Sequence, residues 1–90
     1  MNWNLRQVFE KIKKEIYLNF DFVFDCELIE INKQNVFTVS FIVGELNGFE
    51  VDTYFCYIKI KNNKIIDFNI ANLLDEEDTK SFISSIEQCL

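Results

Sequence analysis

Between residues 20 and 70 the hydrophobic pattern repeats every second position, and three turn-forming clusters interrupt it. A period of two belongs to a strand with one buried face, because successive side chains leave a strand on opposite sides. Phe20, Phe22, Phe24, Cys26 and Leu28 alternate with Asp21, Val23, Asp25 and Glu27. The alternation slips near Leu28 and Ile29, which predicts a bulge or a doubly covered strand end there. Asn32-Lys33-Gln34-Asn35 predicts a first turn and residues 44–48, with a glycine at each end, a second. Asn62-Asn63 fits a two-residue hairpin loop, since asparagine tolerates positive φ. Further strands are therefore expected over 36–43, 49–60 and 65–70.

These loop lengths imply a register. The first sets Leu28 opposite Val39, Cys26 opposite Phe41 and Phe24 opposite Val43. The second sets Val43 opposite Phe49, Phe41 opposite Val51 and Phe37 opposite Phe55. The third sets Tyr57 opposite Phe68 and Phe55 opposite Ile70. All three hairpins then agree on one Phe-rich face.

Helical spacing flanks the strands. Leu5, Val8, Phe9, Ile12 and Ile16 form one stripe, in a helix reaching about Leu18 with Asn2 or Asn4 as its cap. Phe82, Ile83, Ile86 and Leu90 form another, preceded by Asp75-Glu76-Glu77-Asp78, whose carboxylates suit the positive end of a helix dipole. Two stripes and one apolar sheet face predict a single α+β domain over 1–90. It is a two-layer sandwich in which N- and C-terminal helices pack on a four-stranded antiparallel meander, in the order α-β-β-β-β-α. A helix on each face is the alternative.

Composition supports a folded chain. It is 49% hydrophobic with ten Phe, so a core is expected without metal or disulfide. Net charge is −6. Residues 1–18 carry four basic and two acidic side chains, a balance of +2; the remainder carries five and thirteen, a balance of −8. An acidic body repels nucleic-acid phosphates and suits basic protein partners. Cys26, Cys56 and Cys89 have no C-x-x-C spacing, so reduced thiols in a cytoplasmic protein are expected. Charged residues from Arg6 to Lys14 interrupt any leader-like run, and no apolar run reaches the roughly 20 residues of a membrane span.

Catalytic chemistry finds little here. The chain has no His, no phosphate-binding glycine loop and no nucleophile-elbow motif. Glu27 and Asp52 are expected to flank Ser40 on an open sheet face, where nothing raises a carboxyl pKa for acid–base work. The 75–78 acids lack a calcium-loop pattern. No catalytic residue, metal site or cofactor is expected.

The sheet face away from the helices is the candidate site. The register above gathers Asp25, Glu27, Glu50 and Asp52 at one end, with Ile42 between Asp25 and Glu50, and Ile29, Ile31, Val36, Tyr54 and Ile58 at the other. An apolar patch beside charge marks an interface. The expected function is a non-enzymatic acidic interaction module, for instance an inhibitor or immunity protein that neutralises a basic, nucleic-acid-acting enzyme. It would bind neither nucleic acid nor membrane directly. The alternative is self-association as a homodimer through that face, or a small-ligand pocket between sheet and helices.

Overall fold

The computed structural model describes residues 3–31 and 35–90. It has six elements: helix α1 (Trp3–Asn19), strands β1 (Val23–Ile31), β2 (Val36–Asn47), β3 (Glu50–Lys61) and β4 (Lys64–Asn69), and helix α2 (Glu76–Gln88). The strands form one antiparallel sheet in the order β1-β2-β3-β4. The α+β class and the α-β-β-β-β-α order are as the periodicities predict. Asn2, as a cap, and Asn32, Lys33 and Gln34 of the first turn lie outside the described residues.

Both helices bury the stripes read from their sequence. In α1, Phe9, Ile12 and Ile16 are buried while Arg6, Lys11 and Lys14 stay exposed. In α2, Phe82 and Ile86 are fully buried. Asp75 is the N-cap: its carboxylate accepts the Asp78 backbone N–H at 2.7 Å. That bond satisfies one of the unpaired donors of the first turn, and Glu76, Glu77 and Asp78 add negative charge at the positive end of the dipole. Asp75→Ala is expected to cost about 1 kcal/mol. A thermal melt would then fall by roughly 4–8 °C, and an unchanged midpoint would show that the cap carries no stability.

The helices share one side of the sheet. Phe9, Ile12, Ile16, Phe82 and Ile86 join Phe37, Val39, Phe41, Val43, Cys56, Ile58 and Ile60 in one buried cluster. Phe20, where the chain leaves α1, packs its ring edge-on to Phe82 at 5.4 Å and tilted against Phe41 at 5.6 Å. These ring geometries favour aromatic pairs beyond simple burial. Among the described residues no helix lies over the other sheet face, so the arrangement with one helix on each face does not occur.

The β1–β2 register follows the expectation from Leu28↔Val39 to Cys26↔Phe41, without a slip at Ile29. The irregularity lies instead between Val23 and Asp25. Val23, not Phe24, pairs with Val43, and Phe24 becomes the extra residue of a bulge. Its ring crosses to the outer face and covers Gly44, where any β-carbon would collide with it.

The β2–β3 register departs from expectation altogether. The turn is not residues 44–48 but the two residues Gly48 and Phe49, closed by Asn47↔Glu50. Gly48 has φ 66 and Phe49 no positive φ, the signature of a type II′ hairpin turn. Val43 therefore pairs with Tyr54, Phe41 with Cys56 and Phe37 with Ile60. The shift is an odd number of residues, so every β3 side chain changes face. Ile58 and Ile60 are buried, while Phe49, Val51 and Phe55 are exposed. The reason is physical: the five-residue loop would turn Lys59 toward the helices, and an unpaired buried amine is costly. The shorter turn also adds four cross-strand pairs, from Gly44↔Thr53 to Asn47↔Glu50.

At the third turn, Asn62 and Asn63 both have positive φ (51 and 62), as a type I′ hairpin requires. A bulge at Ile66 then shifts the register by one, so Tyr57 pairs with Asn69 rather than Phe68, and Ile58 with Phe68. A short, bulged β4 with Lys64 and Asp67 makes a poor template for strand addition.

Candidate functional site

The outer face follows from the observed register. Its rows across the sheet are Asp25, Ile42 and Phe55; then Glu27, Ser40, Tyr57 and Asn69; then Ile29, Thr38, Lys59 and Asp67. Of the residues expected there, Asp25, Glu27, Ile29 and Ile42 are in place. Glu50, Asp52, Tyr54 and Ile58 are not, because the flip of β3 carries them to the helix side. Ile58 is 0% exposed and Tyr54 packs against the core. Phe55 and Tyr57 take the outer positions instead. Asp52 lies opposite Glu45, so it does not share a face with Glu27 around Ser40. The paired-carboxylate geometry considered for acid–base chemistry is thereby removed.

In the middle of this face Asp25, Glu27, Ser40, Ile42, Phe55 and Tyr57 line a shallow hollow of about 370 Å³. Tyr57 donates its hydroxyl to Asp67 at 2.9 Å, and that hydrogen bond holds its pKa above the ordinary value. The bond ties β3 to the edge strand β4 across the outer face.

Beyond Val43 and Tyr54 the β2–β3 hairpin continues past the helices as an arm. Glu45, Leu46, Asn47, Glu50 and Val51 are all exposed, and the molecule measures 44 Å along its longest axis against 25 and 19 Å. A twelve-residue strand spans about 40 Å, whereas α2, with thirteen residues, covers only about 20 Å. The arm has two unlike sides. Leu46↔Val51 continues the outer face, beside Phe24 on Gly44. Glu45↔Asp52 and Asn47↔Glu50 form the opposite side, where Asn47 donates its side-chain amide to Asp52 at 3.2 Å.

The apolar side is large. Phe24 is 61% exposed, Phe55 76% and Phe49, at the tip, completely. Phe24 and Phe55, with Leu46 and Val51, leave roughly 300 Å² or more of apolar surface on that side, and exposed apolar patches of this size mark binding surfaces.

The charge around it has one sign. No Lys or Arg occurs from Gln34 to Ile58 or from Glu15 to Asn32. Among the described residues, none of Asp25, Glu27, Glu45, Glu50 and Asp52 forms an ion pair; the one salt bridge is the exposed Lys80–Glu76 pair on α2, at 3.6 Å. Lys59, Lys61 and Lys64 lie at the far end of β3 and β4, away from the arm. The sheet is therefore polarised end to end, acidic and apolar toward the arm and basic at the opposite turn.

The thiols lie outside this face's chemistry. Cys56 is buried and Cys26 half-buried, and burial pushes each thiol up to about 11. For Cys26 the nearby Lys13 opposes the shift, and Asp25 and Glu10 reinforce it. Cys89 is raised by burial too. Neutral thiols are poor nucleophiles, so labelling by a disulfide reagent at neutral pH is expected to be slow until the chain unfolds. A raised pKa stabilises the fold only while the unfolded thiol is also protonated. Stability from this source is thus fully present below pH 9 and declines between pH 9 and 11. Urea melts across that range check it, and a Cys56→Ala variant should lose part of the slope.

No helix among the described residues is long and apolar enough to cross a membrane. No protein-family model matches this chain, and neither does any curated protein or solved structure.

Sequence reasoning missed Phe24, Leu46, Phe49, Val51 and Phe55 as surface residues. One signal could have found them: glycine at the first central position suits a type II′ turn, so Gly48-Phe49 inside an otherwise continuous strand pattern reads as a two-residue hairpin loop. Choosing it over the 44–48 loop yields the observed faces.

Proposed function

We propose that this chain is a non-enzymatic interaction module that grips a basic protein through its outer sheet face and arm. The carrying observation is the uncovered apolar patch of Phe24, Leu46, Val51 and Phe55, bordered by carboxylates that form no ion pair among the described residues. Exposed aromatic side chains supply binding energy at the centre of an interface, and rim charges steer the encounter. Basic partners are favoured over a second outer face, since two such faces stacked patch on patch would bring Asp25 and Glu27 of both copies together. The finer reading is an inhibitor or immunity protein. Its carboxylates would occupy a basic cleft built for phosphates, in an enzyme that acts on nucleic acid.

The test is to identify the partner by in-cell cross-linking and to measure the purified pair at increasing salt. Binding is expected to weaken at least tenfold between low and physiological ionic strength, because exposed charges are screened over about 8–10 Å. Asp25→Lys with Glu27→Lys should weaken it further while leaving the fold intact. An affinity indifferent to both salt and these substitutions would sink the basic-partner reading.

A further inference from the structure

The arm has a complement on the same chain. On the exposed side of α1, Glu10, Lys13, Lys14, Tyr17 and Leu18 line an open groove of about 510 Å³. Leu18 is 78% exposed and Tyr17 about half exposed, so the groove offers apolar surface to solvent beside two lysines. Lys13 is turned toward the Phe9 ring, 5.9 Å from its centre, which leaves Lys14 as the outward cation. The arm presents the opposite pattern: a fully exposed Phe49 at the tip, with Glu45 and Glu50 beside it and no base nearby.

We propose that the arm of one copy docks in the α1 groove of a second, with Phe49 between Tyr17 and Leu18, and Glu50 near Lys14. Charge complementarity selects this occupant. Residues 1–18 carry +2 and the rest of the chain −8, so arm-to-helix contact joins unlike charges within a molecule of net −6. The contact is heterologous, so it closes as a reciprocal pair of arms or continues from copy to copy. An apolar knob entering a pocket elsewhere on the same protein is the general route to such assembly. The inference does not depend on the basic-partner reading, since it concerns the chain alone. If both hold, self-association covers the arm until a partner displaces it.

Sedimentation velocity and light scattering of the purified chain test it. The average mass is expected to rise with concentration, and added salt should reduce it. Phe49→Ser and Leu18→Ser should each raise the dissociation constant at least tenfold while the melting temperature stays close to the parent's; neither side chain is in the buried core. Glu50→Lys and Lys14→Glu should each weaken assembly alone, and mixing those two variants should restore it, because unlike charges meet again. A monomer at every concentration overturns the proposal, as does an assembly indifferent to Phe49→Ser and Leu18→Ser. A monomer that co-sediments with phosphatidylserine vesicles also overturns it and assigns the groove to a membrane surface.

Discussion

Ile58→Asp is expected to leave the chain unfolded, whereas Phe55→Asp, three residues earlier on the same strand, is expected to leave it folded. Ile58 is 0% exposed and sits in the cluster shared by both helices; Phe55 is 76% exposed on the open face. An aspartate at 58 must either bury an unpaired charge or take up a proton, and it also loses the burial of an isoleucine side chain. The sum exceeds about 4 kcal/mol, against a total stability of roughly 5–15 kcal/mol for a domain. At 55 the loss is confined to strand propensity and cross-strand contact, about 1 kcal/mol. Circular dichroism and urea melts of the two variants decide the matter. The reverse result would restore the five-residue loop and move the binding face back to Tyr54 and Ile58.

Phe82→Ala is the second substitution with a large expected effect. Its ring is completely buried, meets Phe20 edge-on and lies in the layer where α2, α1 and the sheet converge. Truncation removes the ring's transfer energy and leaves a cavity, costing about 3–5 kcal/mol. Phe82→Leu keeps most of the volume and should cost less, on the order of 1.5 kcal/mol. In urea the midpoint should drop with little change in slope, since the surface exposed on unfolding is nearly the same. A loss below about 1 kcal/mol for the alanine would mean that α2 does not hold the core as described.

The two variants of β3 carry a functional consequence as well. If Phe55 belongs to the outer face, Phe55→Asp keeps the fold but lays a charge in the middle of the apolar patch. Binding to the partner should then fail in a protein that melts almost normally. That separation of folding from binding would not be available if Phe55 lay under the helices.

Helix α1 was legible because Leu5, Val8, Phe9, Ile12 and Ile16 recur at helical spacing, and α2 because Asp75 caps a second such stripe. Asn62-Asn63 announced its own turn through the positive φ that asparagine tolerates. The candidate face was half legible: Asp25, Glu27, Ile29 and Ile42 belong to β1 and β2, whose pairing near the first turn was correct. The other half came from β3, where a wrong loop length exchanged Phe55 and Tyr57 for Tyr54 and Ile58. The Phe24 bulge was not legible at all, since either Val23 or Phe24 can fill the inner position beside Val43.

What the sequence by itself determined is the set of elements, their order and the antiparallel meander, because those follow from periodicities and turn residues that act over a few positions. The tertiary structure alone decided which side of β3 faces the helices. From Glu50 to Ile60 both sets of alternate residues are largely apolar, with Val51, Phe55 and Tyr57 on one side and Tyr54, Cys56, Ile58 and Ile60 on the other. Local alternation is degenerate there. The choice rests on a comparison across the whole fold, in which Ile58 and Ile60 enter the core with Phe82 and Ile12 while Lys59 takes the outer face, half-buried and away from the core. The same choice leaves the rings of Phe24, Phe49 and Phe55 on the surface, where a partner can reach them.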